Sequence, residues 1–159
     1  MGAIFLESWA KPLLVAHALV AVALAGSVGH LGFECWKVVR GRVRNAWLLR
    51  VHARIGFVLY VLQFAIGAAA YPIYRVRVRH EYFDASLPWA TNLFDIKEMY
   101  AAFGLAAFAA IFAMSFALKA EDPDQRPLSV GFASLGLLVT GIVFFATASG
   151  FLLVSYRSI

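Results

Sequence analysis

Charge is scarce in this sequence, with 14 Lys and Arg and 9 Asp and Glu among 159 residues, only 14% of the chain against 62% hydrophobic residues. A soluble domain of this size needs a far more charged surface, so a water-soluble globular protein is excluded on composition. Cysteine is nearly absent: the single Cys35 cannot form an internal disulfide and supplies no Cys-based metal site. Activated nucleophiles are missing too. Ser8, Ser27, Ser115 and Ser134 stand in no motif that would sharpen a hydroxyl, which argues against a hydrolase. No internal repeat and no paired carboxylates and lysines within apolar stretches are visible, which argues against a channel or transporter.

What charge there is leans positive, with a net +5 and a pI near 9.7. The basic residues cluster beside apolar segments, where they meet anionic lipid headgroups and fix topology, so no nucleic-acid partner is expected. The start, MGAIFLESWAKP, has no basic region ahead of the apolar run and no small-residue cleavage site, so the first apolar segment is expected to be a retained helix. Leu6 stands where myristoylation wants Ser or Thr.

Crossing a hydrocarbon core takes roughly 20 apolar residues as helix, and four segments qualify: Pro12 to Phe33, Ile55 to Tyr74, Met99 to Leu118 and Leu128 to Val154. Pro12 suits a first helical turn, Pro123 and Pro127 punctuate the third loop, and Pro72 is expected to bend the exit of the second helix. Short loops join the segments except for Arg75 to Glu98, so consecutive helices are expected to be antiparallel neighbours. The expectation is an all-α fold, an integral membrane antiparallel four-helix bundle with residues 1–159 as a single transmembrane domain. The first and third loops hold Lys37, Arg40, Arg42, Arg44, Arg50, Arg54, Lys119 and Arg126; the other side holds Lys11, Arg75, Arg77, Arg79, Lys97 and Arg157. That modest bias places both termini outside, in a bacterial cytoplasmic (inner) membrane.

In the second loop, Arg75, Arg77 and Arg79 alternate with valines, which predicts an extended segment presenting three guanidiniums on one side to lipid headgroups, a partner subunit or haem propionates. The stretch Leu87 to Glu98, with Trp89, Leu93, Phe94 and Ile96, is expected to lie in the headgroup plane. His80 with Glu81 and Asp84 has ligand types but no metal spacing, and reads as a solvated loop.

Histidines inside apolar helices are costly and tend to be paired, hydrogen-bonded or ligating. His30 lies near the end of the first segment and His52 just ahead of the second, with a basic loop between them, so the two imidazoles are expected at one depth on neighbouring helices, able to hold a flat metallocofactor. Gly26 precedes His30 by four residues and Gly56 follows His52 by four, which leaves room on each histidine's face for a planar ring. The rival reading of Gly26, Gly29 and Gly32 is close helix packing. His17 sits on the first helix roughly 20 Å from His30 along the axis and roughly 140° around it, so it must use different neighbours, with Met99 or His80 as the partners considered. Packing small residues recur on the fourth helix, with Gly131, Ser134, Gly141, Thr147 and Gly150, and on the third, with Ala102, Ala106 and Ala110.

Around the second helix, His52-Ala-Arg-Ile-Gly56 followed by Gln63-Phe64-Ala65-Ile66-Gly67 resembles a helix of the ascorbate-reducible di-haem cytochrome b family, over about 16 residues. In that family the order is histidine, glycine four later, then glutamine, aromatic and glycine, and the gap to glutamine is about one turn shorter here. The resemblance implies an axial-ligand role for His52 and a polar residue within the bundle at Gln63; a four-helix membrane cytochrome b, such as an anchor of a respiratory complex, matches the chain better than a full member. The expected function is a haem b electron-transfer subunit, a component of a redox complex rather than a stand-alone enzyme. It would pass electrons between a redox partner and quinone, with His30 and His52 holding one haem iron and a second site near His17 and Met99. The alternative is a structural subunit of a larger membrane complex that binds lipid, neighbouring helices or a chlorophyll-type pigment through one histidine.

Overall fold

A computed structural model describes residues 4–42, 45–120 and 122–159. Arg44 of the first basic loop, and Met1 and Gly2 of the N-terminal pattern, lie outside them. The described residues are helical with no strand: α1 (Ala10–Val39), α2 (Ala46–Tyr74), α3 (Pro88–Ala117) and α4 (Arg126–Tyr156). All four are long and apolar enough to cross a membrane.

Each helix is longer than its apolar run, because its ends have local reasons to stay helical. At the end of α1, Gly41 takes φ 70°, and the amides of Gly41 and Arg42 bond back to Val38 and Lys37, closing the last turn in the way a left-handed glycine permits. Asn45 then starts α2 by accepting a hydrogen bond from the Leu48 amide, so α2 begins nine residues ahead of Ile55 and His52 sits inside it. Pro88 occupies the first turn of α3, where its missing N–H costs nothing.

The segment after α2 corrects two expectations. Arg75–Phe83 is a π-helix that continues α2, not an extended strand, and Leu87 to Glu98 is mostly the beginning of α3. Pro72 cannot donate to the turn before it, and the wider helical register follows within three residues. Acid partners hold this helix. Arg77 donates to Glu7 at 2.6 Å and to Glu81 at 3.0 Å, and Arg79 donates to both oxygens of Asp95 at 2.8 and 3.1 Å. Val78 and Phe83 are fully buried below, in a small core with Ala90 and Leu153. Two of the three arginines are therefore engaged by the protein itself.

The four helices pack in a ring, α1 on α2, α2 on α3, α3 on α4 and α4 back on α1. The main core lies at the His52 end, where Val28, Leu31, Ala53, Phe108, Ile111 and Phe132 are buried. Glycine permits the closest crossings: a Cβ on Gly56 would stand 2.7 Å from the Phe108 ring, one on Gly32 would stand 2.7 Å from the Thr140 hydroxyl, and one on Gly136 would collide with the Cys35 sulfur. Ala102, Ala106 and Ala110 are exposed, and α3 uses Gly104, Ala107 and Phe108 inside. The outer surface is as apolar as the interior. Leu19 is 67% exposed, Phe103 58% and Phe151 58%, and the most hydropathic window of α1 is only 11% buried.

Candidate functional site

Two polar clusters lie at opposite ends of the bundle. At the first, the register of α1 and α2 across their short loop brings His30 and His52 together, with ring centroids 5.1 Å apart and planes inclined by 18°. The Ser27 hydroxyl lies 3.4 Å from His52 Nδ1. His30 is exposed on the outside of the bundle and His52 half-buried, so the pair opens to the surroundings along the α1–α2 seam. Gly26 is exposed beside it, with nothing within 4 Å of where a Cβ would stand. Gly56 is different: the Phe108 ring and Val28 occupy the space its missing side chain leaves.

Glu34, which the sequence reading passed over, belongs to this end. It lies one turn beyond His30 on the same face of α1, is 8% exposed, and accepts from Lys37 Nζ at 2.6 Å. A carboxylate in a chain this poor in charge, four residues from an apolar-helix histidine, was the signal that could have found it. Across the seam, Arg54 donates to the Ser115 hydroxyl at 3.1 Å and to its carbonyl at 3.2 Å, while Arg50 donates to the Leu118 carbonyl at 3.0 Å. These two arginines satisfy carbonyls left over at the end of α3 and tie it to α2.

Whether the pair fits an iron can be judged from bond lengths. Two imidazoles on opposite sides of one metal, each bonded at about 2 Å, have centroids roughly 6 Å apart, so these rings must part by about 1 Å and turn nitrogen towards nitrogen. The half-exposed setting permits that movement, and Gly26 leaves a flat macrocycle free passage beside His30. The two imidazoles are of the donor type that holds haem iron, and the pair would have to part and turn to do so.

The second cluster surrounds His17. Its Nε2 lies 2.8 Å from the Gln63 amide nitrogen on α2, and its Cε1 edge rests on Gly67, where a Cβ would stand 3.1 Å away. This is part of an open cavity of about 820 Å³ lined by all four helices, with Ala18, Ala68, Lys97, Glu98, Ala146 and Gly150 in its walls. Met99 does not take part: it is 72% exposed, and this stretch of α3 offers Lys97 and Glu98 to the cavity instead. His80 is exposed on the π-helix and does not line the cavity either. Among the described residues no group of three or more His, Cys, Asp or Glu is placed to hold a metal ion.

No protein-family model, curated protein or solved structure matches the chain. The likeness to a cytochrome b helix therefore rests on the residues of α2 themselves.

Proposed function

We propose that this chain is a membrane-embedded haem b electron-transfer subunit, an antiparallel four-helix bundle forming one transmembrane domain in a bacterial inner membrane with both termini outside. The observation that carries the reading is the approach of His30 and His52, two imidazoles from neighbouring helices that meet in a chain with very few polar side chains. An exposed imidazole facing hydrocarbon is expensive unless something binds it, and a bis-histidine iron site removes that cost. Haem supplies one-electron redox chemistry when bound. The chain's part would be to hold the group through His30 and His52 and to leave the Gly26 face clear for it. Ser27 holds the His52 ring, and the main core beneath sets a low dielectric.

The apolar exterior supports insertion in lipid, where packing at Gly32, Gly56 and Gly136 holds the helices together. Because the histidine pair opens outward, the remaining wall of a cofactor seat comes from lipid or from another subunit of a redox complex. The electrons would move between that partner and quinone. The same outward position favours one other reading, a scaffold in which His30 alone ligates the magnesium of a chlorophyll-type pigment.

Pigment extraction separates the two. Pyridine haemochrome analysis of natively extracted protein is expected to give haem b in stoichiometric amount. Well-folded protein that carries a magnesium porphyrin or no pigment contradicts the electron-transfer reading.

A further inference from the structure

We propose that the cavity at the His17 end is a binding site for a quinone headgroup. The placement goes beyond the haem reading and does not depend on it. Four helices contribute to one level of the cavity. His17 of α1 meets Gln63 of α2 at 2.8 Å, and the Lys97 ammonium of α3 lies over α4 where a Cβ on Gly150 would stand 3.5 Å from it. Lys97 is also close enough to His17 to act on it electrostatically.

Polar groups here lack partners. Four buried side-chain polar atoms among the described residues have none, and three of them, His17 Nδ1, Gln63 Oε1 and the Tyr74 hydroxyl, belong to residues lining this cavity. Lys97 makes no ion pair among the described residues and lies over the Phe94 ring, 5.4 Å from its centroid. Buried polar atoms are almost always satisfied, so their concentration around one cavity favours an occupant with polar groups at this level. The contact with Gln63 uses one polar edge of each side chain, so in either tautomer one donor and one acceptor remain between His17 Nδ1 and the outer atom of the Gln63 amide. The level therefore offers a donor from Lys97 and a further donor and acceptor shared between His17 and Gln63, beside alanine and glycine in the walls.

The ligand that answers this is flat, apolar in body, and carries oxygens on opposite edges that accept hydrogen bonds as the quinone and donate them as the quinol. Such a molecule reaches the site from the bilayer. The level favours the quinone over a second haem, because the His17 ring is already engaged by Gln63 and seated on Gly67. A lipid phosphate does not suit it either, because Glu98 stands beside Lys97 on the same wall, and Arg157 is drawn to the Tyr82 ring.

The test is calorimetric titration of the purified full chain in detergent with a one-isoprene ubiquinone and with menadione. Saturable binding at one site per chain is expected. Lys97→Met and Gln63→Leu should each weaken it by about tenfold or more, the loss expected for a good hydrogen bond in a dry site. Gly150→Leu, which crowds the cavity beside the Lys97 ammonium without removing a polar group, should abolish it; circular dichroism and the elution profile report whether each variant is folded. The haem spectrum of the same samples is expected to be unchanged by these substitutions, so loss of haem without loss of quinone binding strikes only the haem reading. Absence of saturable binding to folded wild-type protein overturns the proposal. So does binding that survives both Lys97→Met and Gly150→Leu, or displacement of the quinone by phosphatidylglycerol.

Discussion

His30 and His52 stand with their rings 5.1 Å apart and 18° from parallel, on the outward side of the α1–α2 seam. His17 and Gln63 make their contact roughly 20 Å away, along the same pair of helices. The bundle thus carries a paired-imidazole end and a cavity-bearing end, joined by the main apolar core. Under the proposed function, one end would exchange electrons with a partner and the other with a lipid-soluble carrier.

The two glycines beside the histidines should behave oppositely. Gly26→Leu meets open space and is expected to leave thermal stability in detergent unchanged, apart from a small gain in helix propensity, while lowering haem content by crowding the macrocycle. Gly56→Leu drives into the Phe108 ring and should cost about 1–3 kcal/mol or more as overpacking. Thermal melts and haem content, measured on both proteins, check the pair of outcomes.

Cys35 and Gly136 form a second steric test. Gly136→Ala should destabilise the α1–α4 crossing, because the added methyl meets the Cys35 sulfur. Cys35→Ala removes that sulfur, so the double variant should recover most of the loss, giving a coupling energy of about 0.5–3 kcal/mol in a double-mutant cycle. Additive melting shifts would mean that the two helices do not cross there.

Two arginines at opposite ends should differ in weight. Arg79 and Asp95 pair in a partly exposed setting, 27% and 45% accessible, so Arg79→Ala is expected to change stability by no more than about 1 kcal/mol. Arg54 bonds the buried Ser115, so Arg54→Ala, which also leaves that hydroxyl and carbonyl without their donor, should cost about 1.5–3 kcal/mol. Unfolding of each variant in a mixed detergent series reads the difference.

Met99 was a plausible ligand by residue type and is 72% exposed in the fold. Met99→Leu should therefore leave the visible spectrum unchanged in band position and amplitude. A shift of the reduced band would place its thioether near iron after all.

How much of this was legible in sequence follows from which forces act locally. The four apolar runs announce helices by length alone, and the short loop between His30 and His52 forces those residues to one end. The helix ends were not legible, because they depend on distant partners: Arg77 is held by Glu7 and Arg79 by Asp95, and alternation of arginine and valine reads as a strand until those acids are in place. The His17–Gln63 contact depends on the rotation of α1 against α2, which no single helix encodes. Gln63 had been singled out only through the cytochrome b likeness. Glu34 was overlooked because it falls just past the apolar run, where a charge is ordinarily solvated; here it is buried beside the seam.

The most direct measurement is the reduced-minus-oxidised visible spectrum of purified wild-type protein beside His30→Ala and His52→Ala. The account predicts a low-spin haem b band in the wild type that either substitution abolishes, with helicity retained. A band that persists in both variants, or a folded wild type with no band, would contradict it.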